Sequence, residues 1–193
     1  MSEESKYLSC AETAKLLRVA LKRAFSSIKF SVRSSVYSGG ASIDVSYING
    51  ASVEKVEAVA KQFAGAGFDG MIDYKYYISH YLLPDGSVQI ASSEGTESSD
   101  GRIGRIKNLM PDGAKEVHFG ADFVFIKREI DEETNKKVAM YLAELYNLEF
   151  NGSMWREIEV NGKSYTFGGL VWSYTRDKDF NDFFKNKPMV VAI

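Results

Sequence analysis

One arginine and one aspartate stand among serines in the segment Lys29–Ser52, KFSVRSSVYSGGASIDVSYINGAS. Polar and apolar side chains alternate on both sides of a Gly-Gly turn, as they do in a β-hairpin with one apolar face. If Val36 pairs with Ala41, then Arg33 lies opposite Asp44 and almost every apolar side chain falls on one face. A shift of one residue would scatter the apolar set, so the pattern predicts this register.

The polar face of this hairpin has two interpretations. Opposite charges at facing strand positions stabilise a sheet by roughly 0.2–1 kcal/mol, which predicts a cross-strand ion pair on a hydrated face. Alternatively, small hydroxyl side chains leave room for close approach, and the face contacts a phosphate or the backbone of a partner. The candidate binding residues on this face are Arg33, Asp44, Ser31, Ser35, Ser42 and Ser46.

A second candidate is the basic face of the first predicted helix. Lys15, Arg18 and Lys22 share one helical stripe and concentrate positive charge in the first half of the chain. A stripe of this kind is either simply solvated or contacts nucleic acid through its phosphates, and both interpretations stay open.

Residues that would support an enzyme are few. His80 and His118 lack the spacing of metal ligands, and Asp69 and Asp73 lie in a segment broken by glycine. There is no phosphate-binding glycine loop, no pair of cysteines and no nucleophile-elbow serine. We predict no catalytic residue, no metal and no cofactor, and we keep a site built from these four side chains as a third alternative.

Two other side chains bear on function. Tyr77 alternates with Tyr76 and Ile78 on a predicted strand; it is a candidate contact residue, although ordinary packing also explains it. Cys10 lies on the apolar stripe of the first helix, which predicts a buried thiol. Because it is the single cysteine, no intramolecular disulfide can form, which is typical of a reducing compartment.

Composition excludes several classes of protein. A formal net charge of −2 and a pI near 5.8 argue against a dedicated double-stranded DNA binder. An aromatic fraction of 13% argues against disorder. The N-terminus lacks the basic region of a signal peptide, and no apolar run is long enough to span a membrane. We therefore expect a cytoplasmic protein without membrane contact.

Helical and hairpin patterns alternate along the 193 residues and predict an α+β fold, with antiparallel sheets built from hairpins, packed helices and two subdomains. A first domain at 1–91 precedes a polar linker or mobile loop at 92–105, and a second α+β subdomain follows at 106–193. The predicted helices are 9–25, 53–64, 132–147 and a closing helix, Asp177–Lys185. The predicted strands are the hairpin above, Tyr76–Leu83 with Val88–Ala91, Lys115–Arg128, and Trp155–Val160 with Lys163–Tyr174 around Asn161-Gly162.

The first part of the chain resembles a known domain. The segments LSCAETAKLLRVALKRAF, KFSVRSSVYSGGASIDVSYINGAS, VEKVEAVAKQF and FDGMID are similar to large polyvalent protein-associated domain 29, over about residues 7–75. Polyvalent proteins belong to bacteriophages and conjugative elements, and the resemblance implies protection of mobile DNA from host defences. It implies no catalytic residue, and residues 76–193 lie outside it.

These observations give one leading hypothesis and two alternatives. The leading hypothesis is a non-enzymatic accessory or anti-defence protein of a phage or mobile element, which binds a host or mobile-element protein in the bacterial cytoplasm. The first alternative is a nucleic-acid-binding module that uses the basic helix face and Arg33. The second is an enzyme with an unrecognised site. The sequence predicts neither the partner's identity nor the oligomeric state.

Overall fold

A computed structural model describes residues 5–96 and 104–180 of the chain. Within these residues, four α-helices and eleven β-strands form the predicted α+β fold. The helices are α1 (Cys10–Ala24), α2 (Val53–Ala60), α3 (Glu132–Leu145) and α4 (Phe167–Thr175), with a 3-10 turn at Lys61–Phe63. The strands are β1 (Lys6–Ser9), β2 (Ser31–Tyr37), β3 (Gly40–Ile48), β4 (Ala66–Asp69), β5 (Tyr74–Leu82), β6 (Val88–Glu94), β7 (Arg105–Lys107), β8 (Lys115–Gly120), β9 (Phe123–Glu129), β10 (Glu157–Val160) and β11 (Lys163–Thr166). None of the described helices combines the length and the apolarity needed to cross a membrane.

The chain divides into two compact units. The first unit comprises Met1–Ser46 and Val56–Lys127, and the second comprises Tyr47–Lys55 and Arg128–Ile193. The division therefore falls at other positions than the segment 92–105 that the sequence predicted as a linker. Residues 97–103 of that segment lie outside the described residues.

A mixed sheet of order β1-β8-β5-β6-β7 forms much of the first unit, and β4 joins it by pairing with β5. β1 runs parallel to β8, whereas β5 pairs antiparallel with both β6 and β8. β6 pairs in turn with β7. Strands from before and after residues 97–103 therefore share one sheet, which is why a single compact unit includes both.

The opening hairpin has the predicted register. In the sheet of order β2-β3-β9, Val36 pairs with Ala41 and Arg33 pairs with Asp44. The apolar face is buried at Val32, Ile43 and Val45, which are 7%, 0% and 1% exposed. Val36 is an exception, since it is 80% exposed. It lies at the turn end of the hairpin, where it borders an open cleft rather than the core.

The first and third predicted helices are confirmed. α1 begins with the predicted capping box: the Ser9 hydroxyl accepts from the Glu12 N–H, and the Glu12 carboxylate accepts from the Ser9 N–H. α3 begins at the predicted Asp131, whose carboxylate accepts from the Thr134 N–H at 2.7 Å. Each helix buries one stripe, Cys10, Ala14, Leu17 and Leu21 in α1, and Val138, Tyr141 and Leu142 in α3.

The predicted strand Lys163–Tyr174 is wrong beyond Thr166. The chain does turn at Asn161-Gly162, but the strand ends at Thr166 and α4 follows. The Thr166 hydroxyl accepts from the Gly169 N–H at 3.0 Å, so Gly168 and Gly169 lie in the capped first turn of α4. The aromatic and β-branched residues indicated a strand, whereas the apolar spacing is helical, at positions 167, 170, 171 and 174.

The core of the second unit forms where α4 packs against α3. Phe167, Leu170 and Val171 lie against Val138 and Leu142, and all five are buried. The predicted closing helix is not present over its described part, since residues 178–180 are not helical. Phe180 is buried, and residues 181–185 of the predicted helix lie outside the described residues.

Candidate functional site: a tyrosine-rimmed cleft

A cleft of about 810 Å³ lies within the first unit. Three tyrosines from three different strands line it, and all are exposed: Tyr7 of β1 at 67%, Tyr37 of β2 at 50% and Tyr77 of β5 at 61%. Lys75, Asp122 and His118 also line this cleft, which we call the tyrosine cleft. Large aromatic side chains of monomers are usually buried, so this grouping marks a candidate binding surface.

Asp122 fixes the turn that carries Tyr37. Its Oδ2 accepts from the Ala41 N–H at 3.0 Å, and its own N–H donates to the Ala41 carbonyl at 2.8 Å. A Cβ added at Gly40 would lie 2.5 Å from the same Oδ2, so the absence of a side chain there permits the close approach. The hairpin turn is therefore held at the cleft by hydrogen bonds that leave its tyrosine exposed.

The charged groups that line the tyrosine cleft compensate each other. Lys75 Nζ lies 2.9 Å from Asp122 Oδ1, and both side chains are largely shielded from water. The same ammonium lies 5.5 Å from the centroid of the Tyr77 ring, within range of a cation–π contact. The cleft consequently offers aromatic surface and hydroxyl groups around a neutral ion pair.

Cys10 lines the cleft as a buried thiol, in agreement with the sequence prediction. It is 4% exposed, and its S–H donates to the Ser42 carbonyl at an Sγ–O distance of 3.5 Å. Burial raises the pKa of the thiol. A thiol with a raised pKa that donates to a carbonyl is not an activated nucleophile.

The predicted polar face of the hairpin is only partly present. Arg33 and Asp44 face each other and are exposed, but no ion pair within 4.0 Å joins them in the described part of the chain. Hydration competes with ion pairing when both groups are exposed, which explains the absence of the predicted bridge. Ser42 is 7% exposed, so it does not belong to an accessible face. Ser31 and Ser35 are exposed and Ser46 is half-buried.

The predicted basic face of α1 is separate from the tyrosine cleft. Lys15, Arg18 and Lys22 are exposed, and none of them lines the cleft. Arg18 Nη2 donates to the Val32 carbonyl at 2.5 Å, so this side chain connects α1 to β2. Its cation is partly engaged within the fold, whereas the two lysines point to solvent.

The side chains of the enzyme alternative are scattered. Asp69 is buried and accepts from the Met71 N–H at 3.0 Å and from the Thr96 hydroxyl, while Asp73 is exposed in a turn at φ +52°. His80 is buried, and of the four only His118 lines the tyrosine cleft. Among the described residues, no group of three or more His, Cys, Asp or Glu side chains is arranged to hold a metal ion.

Of the three cleft tyrosines, the sequence pattern marked Tyr77 alone as a candidate contact residue, beside the alternative of ordinary packing. The alternation around Tyr77 separated it correctly from the buried Tyr76 and Ile78. Tyr7 was missed because β1 is four residues long and pairs with β8, far along the chain. The Lys75–Asp122 pair was missed for the same reason, because no local pattern relates residues so distant in sequence.

Comparison with known proteins gives one finding. The family model of large polyvalent protein associated domain 29 matches residues 8–133, more than half of the chain. The match extends beyond the resemblance over residues 7–75 and includes Lys75, His118 and Asp122 of the tyrosine cleft. No curated protein matches the chain, and no solved structure matches it.

Proposed function

Because the chain belongs to the family of large polyvalent protein associated domain 29, we propose that it is a non-enzymatic accessory protein of a phage or other mobile element. It binds a host or mobile-element protein through the tyrosine cleft. Mobile DNA meets host defences on entry, and the bound partner is a component of such a defence or of the element itself. The protein thereby acts as an anti-defence factor in the bacterial cytoplasm.

The grouping of three exposed tyrosines around one cleft carries this proposal. Tyrosine is enriched among the residues that dominate the energy of protein interfaces. Its ring supplies a large contact area with few rotatable bonds, and its hydroxyl forms hydrogen bonds to a partner's backbone. The exposed Val36 adds apolar area beside them.

The electrostatics of the cleft favour a protein over a nucleic acid. Lys75, which lines the tyrosine cleft, forms an ion pair with Asp122. A phosphate would have to compete with that carboxylate for the ammonium, and nucleic-acid affinity depends mainly on available cations. A partner surface of mixed polarity meets no such competition.

The cleft is also organised before a partner arrives. Asp122 connects the hairpin turn to the strand ends through two hydrogen bonds and one ion pair. Binding to a surface that is already ordered costs less conformational entropy, so moderate contact areas yield useful affinity.

Photo-crosslinking at the cleft tests the proposal. A photoreactive phenylalanine analogue is placed at the position of Tyr77 in the full chain, with Val19 on α1, which is 59% exposed, as the control position. We expect a bacterial or mobile-element protein to be cross-linked from the first position and not from the second. A failure to find any such partner would contradict the proposal.

The affinity of the chain for the cross-linked partner provides a second test of the proposal. Tyr77→Ala should weaken binding about tenfold or more, because truncation of a central interface tyrosine usually costs more than about 1 kcal/mol. Trp155→Ala is the matched control, since Trp155 is 86% exposed and belongs to the second unit. Equal effects of the two substitutions would show that the partner does not use the cleft.

Nucleic-acid binding through α1 is the second candidate function. It is favoured by Lys15 and Lys22, which are exposed and form no ion pair among the residues that the structure describes. In a gel-shift titration, Lys22→Glu should weaken binding to all sequences alike, and affinity should fall steeply with salt. If neither happens, this candidate fails while the cleft proposal stands.

A further inference from the structure

The second unit contains a cavity of about 370 Å³ that the proposed function does not use. Two arginines, Arg128 and Arg176, line it together with Trp172, and we call it the arginine cavity. Most of its lining residues lie beyond the family match, which ends at residue 133. Its apolar wall is formed by Val53, Ile130, Met154 and Val171.

Arg128 is held in place by neutral acceptors. Its Nε donates to the Asn49 carbonyl at 2.9 Å, and its Nη1 donates to the Thr175 carbonyl at 3.3 Å. Its Nη2 donates to the carbonyls of Gly50 and Lys178, at 3.1 and 2.8 Å. A guanidinium has five N–H groups, so within the described part of the chain one N–H on Nη1 stays available after these four bonds.

The charge of Arg128 is not neutralised by an ion pair. No carboxylate lies within 4.0 Å of its guanidinium among the described residues, and the carbonyls that surround it carry no net charge. Burial lowers the pKa of this guanidinium, which nevertheless stays protonated. The charge of Asp179 acts on Arg128 from beyond that distance, while the direct ion pair of Asp179 is with Lys55. A partly buried cation without a direct ion pair attracts an anion more strongly than an exposed cation does, because water screens it less.

Arg176 and Trp172 add a second cation and a flat aromatic surface. The Arg176 guanidinium carbon lies 5.6 Å from the Trp172 ring centroid, and Trp172 is 62% exposed. The two contacts of Arg176 with the carboxylate of the adjacent Asp177 are long, at 3.2 and 3.4 Å, and all of these groups are exposed. Such a contact is weak, so it competes little with an incoming anion.

We propose that the arginine cavity binds a small organic anion. Its carboxylate or phosphate group lies at Arg128 and Arg176, and its flat body lies against Trp172 and the apolar wall. The volume falls within the range of about 300–1,000 Å³ of ligand pockets, which are mostly apolar with a few well-placed polar groups. Four backbone carbonyls fix Arg128 before binding, so the anion meets an ordered donor.

Nuclear magnetic resonance of the full ¹⁵N-labelled chain tests this inference. The chain has two tryptophans, and Trp155→Phe assigns the indole N–H resonance of Trp172. The probes are adenosine monophosphate for the phosphate class and indole-3-acetate for the carboxylate class. Adenosine and indole-3-acetamide are their neutral counterparts.

We expect at least one anion to shift the Trp172 resonance in a saturable way. Its affinity should be about tenfold higher than that of its neutral counterpart, because hydrogen bonds to charged groups are stronger than those between neutral groups. A response to one anion alone identifies the phosphate or the carboxylate as the preferred group. Saturation by neither anion, or the absence of any anion that binds more tightly than its neutral counterpart, would overturn the inference.

A pair of matched variants assigns the effect to the cavity. Arg176→Gln should weaken anion binding about tenfold, whereas Lys163→Gln in β11 makes the same change in charge outside the cavity and should leave binding unchanged. Both side chains are exposed at the surface, so neither variant should unfold the chain. Equal affinities of the two variants would contradict the assignment. Because the tyrosine cleft belongs to the first unit, failure here leaves the proposed function unaffected.

Discussion

His80 is a buried histidine whose protonation the fold opposes. It is 1% exposed, its Nδ1 has no hydrogen-bond partner among the described residues, and its ring lies 4.6 Å from that of Phe119. Burial lowers the pKa of His80 from 6.5 to about 4, with a smaller contribution from the charge of His118. At the scale of single residues, this ring therefore links stability to pH.

The free energy of unfolding should therefore decrease in acid. The folded-state pKa of His80 lies below that of the unfolded chain, so the unfolded state binds more protons between pH 6.5 and about pH 4. The stability that neutral His80 contributes to the folded chain is fully present above pH 6.5 and is lost as the pH falls to about 4. Its upper limit is about 3 kcal/mol, from roughly 1.4 kcal/mol per pKa unit.

Urea unfolding at several pH values, followed by circular dichroism, measures this effect. His80→Leu should flatten the dependence in this window, whereas His118→Asn, which alters an exposed ring, should largely preserve it. An unchanged acid dependence in His80→Leu would show that other groups cause it.

At the scale of elements, the parallel pairing of β1 with β8 brings two backbones very close. Gly120 pairs with Ser9, directly before α1 begins. A Cβ on Gly120 would lie 2.7 Å from the Leu8 carbonyl oxygen and 2.9 Å from the Cys10 nitrogen. Both are backbone atoms of paired or helical residues, so they cannot move aside without breaking hydrogen bonds.

Gly120→Ala should consequently destabilise the chain by about 1–3 kcal/mol, the usual cost of adding a carbon where no space exists. Thermal unfolding followed by circular dichroism measures the change. Gly70→Ala is the control, because the nearest atom to a Cβ there is 3.8 Å away. Equal losses in the two variants would argue against close packing at Gly120.

The cap of α4 gives a second prediction at this scale. Thr166→Ala removes the hydroxyl that accepts from the Gly169 N–H and should cost about 1 kcal/mol. Thr166→Ser keeps the acceptor and should retain most of the stability. If urea unfolding gives the same midpoint for the alanine and serine variants, the hydroxyl does not stabilise the helix.

The elements that the sequence predicted well are those with a local signal. The capping box at Ser9 and Glu12, the cap at Asp131 and the register of Arg33 with Asp44 each depend on residues close in the chain. The short β1 has no such signal, because its pairing with β8 spans most of the first unit. In α4, the composition favoured a strand. The burial of the helically spaced Phe167, Leu170 and Val171 against α3 stabilises a helix instead.

At the scale of the whole molecule, contributions from distant segments create both sites. The tyrosine cleft combines β1, β2 and β5 with Asp122, and the arginine cavity surrounds a side chain held by carbonyls at 49, 50, 175 and 178. Sequence patterns identified Tyr77 because its neighbours alternate, but they could not show which distant residues join it.

The expected salt dependence of the proposed partner binding follows from the overall charge. The chain has a net charge of only −2, and the Lys75–Asp122 pair in the tyrosine cleft has no net charge. The affinity of a partner for the cleft should therefore change little between low and physiological salt. Isothermal titration calorimetry at two salt concentrations measures this. A loss of about tenfold or more in affinity would indicate that released counterions drive binding, as in nucleic-acid complexes.

Both tryptophans, Trp155 and Trp172, belong to the second unit, whereas the cleft tyrosines belong to the first. Intrinsic fluorescence excited at the red edge of the indole band therefore reports directly on the second unit. During denaturation, the wavelength of maximum emission can be compared with the loss of ellipticity. If the two changes occur at different denaturant concentrations, the two units unfold in separate steps, and no engineered label is needed to show it.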